Sequence, residues 1–180
     1  DPVATGDEFV IARSGANYKV TAAQIQTFVT DWEFVAATTI SATQYLTFAF
    51  AAGYSYMVEI VYGVPVDDAV TMECQLSQAA VYLTGATDYQ DTNAGAAASI
   101  RVAGATGNQV DEGISAIIYF PQPNVAAVVK RVWGTHQRGL AANTETTGSA
   151  HGGRLDLNTT ACDAARLYWA AGNWQALGFV

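Results

Sequence analysis

The chain has 180 residues, of which 51 % are hydrophobic and only 13 % charged. That composition excludes intrinsic disorder, which combines low hydrophobicity with high charge, and it supplies a sizeable core for one main domain. Eight Lys and Arg against sixteen Asp and Glu give a net charge of −8, which argues against nucleic acid or an anionic lipid surface as a partner.

Asp1-Pro2-Val3-Ala4-Thr5 has neither the basic flank nor the apolar stretch of a signal peptide. Residues 1–30 read as a small unit of their own. Glu8–Arg13 and Tyr18–Val20 are β-prone runs separated by Ser14-Gly15-Ala16-Asn17, which predicts a hairpin because Gly and Asn tolerate positive φ. Thr21-Ala22-Ala23-Gln24 has the form of a capping box, and Ile25, Phe28 and Val29 follow at helical spacing. A hairpin and a helix this short cannot hold a core alone, so the unit is expected to dock on another surface. Phe9, Ile11, Tyr18, Ile25, Phe28 and Val29 are its candidate residues for oligomerisation or attachment.

Residues 31–180 read as a second, mainly β domain. Tyr54, Tyr56, Val58, Ile60 and Tyr62 alternate with other residues, as do Val70, Met72, Cys74 and Leu76, the period of half-buried strands. Further strand runs are 32–40, 45–50, 79–83, 99–102, 114–120, 125–133, 154–157, 165–170 and 174–180, with Gly, Pro and Asn turn signals between them. Short strands at this spacing predict an antiparallel β-sandwich of the jelly-roll kind. Thr84–Ala98 and Gln137–Gly153 are expected as long loops, the usual place for contacts with a partner. Asp88, Tyr89, Asp91, Asn93, His136, Arg138, Asn143 and His151 are the candidate recognition residues on or beside them. The longest apolar runs, such as Val125–Val129, are far too short to cross a bilayer as a helix.

Catalytic chemistry finds little support. His136 and His151 are the two histidines, and neither stands in a nucleophile-elbow pattern. The carboxylate pairs Asp67-Asp68, Asp88 with Asp91, and Asp111-Glu112 all lie in turn contexts, where Asp bonds its own backbone. No HExxH, P-loop, GxGxxG or EF-hand spacing is present, so neither a cofactor nor a metal is expected. Lys130, Arg131 and Arg138 with His136 are the one basic concentration, suited to an acidic neighbouring subunit, an anionic sugar or plain solvation. Trp133, Trp169 and Trp174 lie near strand ends, where an aromatic could stack on a sugar ring. Cys74 falls on the apolar phase of its strand and is expected as a buried thiol, with a Cys74–Cys162 disulfide the alternative.

Gly6–Thr21 resembles a short module of tailed-bacteriophage tail-fibre and minor structural proteins. Phe34–Val180 is similar to a β-rich domain of phage virion proteins. That likeness is carried by Tyr54–Ile60, Val64–Val70, Gly85–Tyr89, Gly113–Pro121, Ala164–Tyr168 and Gly172–Gly178 in that order. The chain has Gln78-Ala79-Ala80 where the pattern has a glycine-rich turn. The resemblance implies a virion component without enzymatic activity, a homotrimer attached to other virion proteins by its N-terminal module. Its β-sandwich would face a host-surface glycan or protein. A head fibre or capsid decoration protein is the alternative, and a glycan depolymerase a third.

Overall fold

A computed structural model describes residues 8–13, 16–21, 37, 39–92, 94–109, 112–140, 145–156 and 159–176; for 8–13, 16–21, 139–140 and 145–148 it describes the backbone alone. The chain divides into two compact units, Asp1–Ala36 and Ala37–Val180, a boundary slightly later than the one expected after residue 30. The described part of the first unit is an antiparallel hairpin of β1 (Glu8–Arg13) and β2 (Ala16–Thr21). Phe9 stands opposite Val20, and Ile11 opposite Tyr18. The expected helix, with Ile25, Phe28 and Val29, lies outside the described residues.

The second unit is built from two antiparallel sheets. One has the strand order β4 (Tyr56–Gly63), β10 (Ile114–Phe120), β11 (Arg131–Leu140), β12 (Glu145–Leu155), β7 (Tyr89–Asp91), β8 (Gly95–Ala97). The other runs β3 (Tyr45–Ala49), β13 (Ala164–Trp169), β5 (Val70–Gln78), β6 (Val81–Tyr82), with β9 (Ile100–Thr106) also paired to β5. Alternation decides which side chains go inward. On β10, Ile114, Ala116, Ile118 and Phe120 are buried, while Ser115, Ile117 and Tyr119 point the other way. Val58 and Ile60 of β4, Met72, Cys74 and Leu76 of β5, and Leu167 and Trp169 of β13 join them in one hydrophobic cluster shared by both sheets. Each Val, Leu, Ile, Phe or Met side chain among them contributes about 1.5–3 kcal/mol on burial. Cys74 and Cys162 are buried free thiols, and burial pushes both up from the ordinary thiol pKa.

Several expectations need correction. Thr84–Ala98 is not a single loop, because β7 and β8 lie within it. Gln137–Gly153 belongs to a long hairpin whose ladder runs from Arg131 opposite Arg154 to Leu140 opposite Glu145. β12 has few apolar residues, but β11 supplies backbone partners along its whole length and β7 adds more at Gly153–Leu155. Val125–Lys130, apolar enough to predict a strand, is instead a turn. Ala127 there has a φ of 65°. Lys130 is buried and donates from Nζ to the carbonyls of Val125, Val128 and Thr159, which removes it from the expected basic surface. Trp169 and Trp174 are core residues with ring centroids 5.0 Å apart. Trp174 forms an isolated bridge with Pro65 rather than opening a strand.

Candidate functional site

The expected recognition residues divide into three groups. Asn93 and Asn143 lie outside the described residues. Asp88, Tyr89 and Asp91 make hydrogen bonds within the fold. Asp88 accepts the Gly85 N–H through Oδ2 at 2.6 Å, the local bond that Asp makes in turns. Tyr89 is fully buried, and its hydroxyl accepts the Leu76 N–H at 2.8 Å and lies 3.2 Å from the Leu83 carbonyl. It thereby pins β7 of one sheet to β5 of the other. Asp91 is buried as well, with one oxygen accepting the Ala94 N–H at 2.9 Å and the other the Arg101 N–H at 2.6 Å.

His136, Arg138 and His151 are brought together on the inward face of β11 and β12, a convergence that their distance along the chain conceals. His136 stands opposite Ser149 and Gly134 opposite His151. The two imidazoles stack with centroids 5.0 Å apart and planes 25° from parallel. Ser149 Oγ is 3.0 Å from His136 Nε2 and 3.2 Å from His151 Nε2, so the hydroxyl donates to one ring and accepts from the other. Burial, with smaller contributions from His151 and Arg138, pushes the His136 pKa down to about 4. Burial also lowers that of His151, with Arg101 in the same direction and Asp91 against it. Arg138 Nη1 donates to the Ala105 carbonyl on β9. A nucleophilic serine needs one imidazole as its base and a third group orienting that imidazole. Here Ser149 is shared between two rings, and His136 Nδ1 is buried without a partner among the described residues. The cluster is best described as a hydrogen-bonded polar seam. No group of three or more His, Cys, Asp or Glu among the described residues could hold a metal ion.

The opposite, outward face of the same sheet carries a different arrangement. Strand register sets Met57, Tyr119, Trp133 and Gly152 in one row across β4, β10, β11 and β12. Tyr119 and Trp133 stack with ring centroids 4.2 Å apart and planes 22° from parallel. Even so, Trp133 remains 49 % exposed and Met57 42 %. At position 152 a Cβ would stand 2.6 Å from the Val132 carbonyl oxygen and 3.0 Å from Trp133 Cα and Cβ, so the close approach of the strands beside the indole requires glycine. The neighbouring row is Arg131, Arg154 and Gln90 across β11, β12 and β7. Trp133 and Gly152 of the first row and Arg131, Arg154 and Gln90 of the second line an open groove of about 720 Å³ together with Thr92. Arg154 Nη2 is 4.0 Å from Asp156 Oδ1. The guanidinium of Arg131 has no ion pair or hydrogen bond among the described residues.

Of this face, sequence reasoning marked Arg131 and Trp133 and missed Met57, Tyr119, Gly152 and Arg154. Alternation does set Tyr119 on the face opposite Ile118 and Phe120, a signal that was legible. Which residue of β12 lies beside Trp133 depends on register over a hairpin that the sequence presents as a loop. No protein-family model, curated protein or solved structure matches this chain.

Proposed function

We propose that this chain is a structural protein of a tailed-phage particle. Its N-terminal unit attaches to other virion proteins, and its β domain, a sandwich of the jelly-roll kind, contacts the host surface as part of a homotrimeric tail fibre or tail tip, without catalysis. The observation that carries the recognition role is the exposed row Met57–Tyr119–Trp133 on an open sheet face. A contiguous row of large apolar side chains left partly in water marks a contact site, where a single one would not. The hairpin unit preceding the β domain supports a division between attachment and display. The phage assignment itself comes from the resemblance of Gly6–Thr21 and of the ordered motifs in Phe34–Val180.

The same exposed row also suits a contact between subunits, which keeps a head fibre or capsid decoration protein as the second reading. Antibody-gold labelling of purified virions separates the two. Label at the tail tip or fibres is the expected result. Label over the head would replace it with the second reading, and unlabelled particles would overturn the virion assignment.

A further inference from the structure

We infer that the groove beside Trp133 is a binding site for an acidic saccharide, with a pyranose ring on the indole and a sugar carboxylate between Arg131 and Arg154. The inference rests on the reading of this face as a recognition surface and names the chemistry it would recognise.

Two features of the groove converge on that ligand. Arg131 and Arg154 are direct cross-strand partners on the outward face, and like charges in that relation repel. Asp156 lies 4.0 Å from Arg154 and accepts from Gln90 Nε2 at 3.4 Å, so the arginine pair retains positive charge in a chain whose net charge is −8. A carboxylate placed between the two guanidinium groups would relieve that repulsion and accept the forked hydrogen bonds that arginine offers. The second feature is the indole. Trp133 is backed by Tyr119 at 4.2 Å, which fixes its ring as a platform, and Gly152 beside it leaves the floor of the groove free of a side chain. An apolar ring face flanked by hydroxyl-binding groups fits a sugar, whose C–H face is apolar and whose rim is polar. Gln90 and Thr92 line the same groove as its polar rim, held there by the bonds from Gln90 Nε2 to Asp156 and from Thr92 Oγ1 to the Gly152 carbonyl.

The test is calorimetric titration of the full chain with hexagalacturonate, beside its fully methyl-esterified neutral form and a hexaglutamate peptide. The acid oligosaccharide is expected to bind, with the ester and the peptide each at least about tenfold weaker. Arg131→Gln and Arg154→Gln should each weaken hexagalacturonate about tenfold while leaving the urea midpoint unchanged. Trp133→Ala should abolish binding, and raising salt should weaken it. Absence of hexagalacturonate binding, equal affinity for the ester or the peptide, or indifference to both arginine substitutions overturns the inference. Adsorption of fluorescently labelled full chain to a panel of bacterial cells tells the two failures apart. A chain that adsorbs to cells but binds no acid oligosaccharide leaves the recognition reading standing and this inference fallen. One that binds hexagalacturonate through Trp133 and the arginines but adsorbs to no cell leaves the opposite.

Discussion

Tyr89 shows how one side chain can tie two sheets together. Its hydroxyl accepts the Leu76 N–H at 2.8 Å. Tyr89→Phe keeps the ring in the core but leaves that buried donor unpaired, and should cost about 1–3 kcal/mol in urea denaturation. An unchanged midpoint would show that the sheets do not depend on this bond. His136 makes a pH-dependent contribution of definite sign. Held neutral by burial, and next by His151 and Arg138, its pKa falls to about 4, against about 6.5 in the unfolded chain. Between those values the unfolded chain takes up a proton that the fold refuses. The stability from this group is therefore complete above pH 6.5, falls by up to about 3 kcal/mol towards pH 4, and is level below that. Urea midpoints measured from pH 7 to 4 should drop more steeply for the native chain than for His136→Gln; parallel profiles would contradict the burial of an unprotonated imidazole.

Among the elements, the β5–β6 hairpin and β12 show what local sequence can and cannot announce. Ala79 and Ala80 close the hairpin with φ of 50° and 62°, the left-handed pair of a type I′ turn, which glycine and asparagine adopt far more cheaply. The Ala80 N–H donates to Asp163 Oδ2 at 2.6 Å, a bond from the chain 83 residues away that helps hold the strained turn. Ala80→Gly keeps that donor and relieves the strain, and should stabilise the protein by about 0.5–1 kcal/mol; destabilisation would show that the alanine methyl makes a needed contact. β4, β5, β10 and β13 were legible because each has buried side chains of its own at every second position. β12 was not, since its inward positions include Ser149, His151 and Gly153, and its pairing with β11 stabilises it where side-chain burial does not. The turn at Val125–Lys130 failed in the other direction. Its apolar residues promised a strand, but Lys130 gathers the surrounding carbonyls around one ammonium group.

At the scale of the whole molecule, composition and period were enough for a mainly β chain. They were not enough to locate the face that carries the exposed aromatic and basic groups. Candidate residues assigned to loops turned out to be core anchors, as with Tyr89 and Asp91, or members of an inward polar seam, as with His136 and His151. The face with exposed aromatic and basic groups is assembled from β4, β10, β11, β12 and β7, strands drawn from separate parts of the chain. Only the register of their pairing sets Tyr119, Trp133 and Arg154 side by side. The most direct test of that face as the point of host contact is adsorption competition, with purified full chain added to host cells ahead of virions. The native chain should block adsorption and Trp133→Ala should not. Equal blocking by both would contradict the assignment of host contact to the Trp133 face.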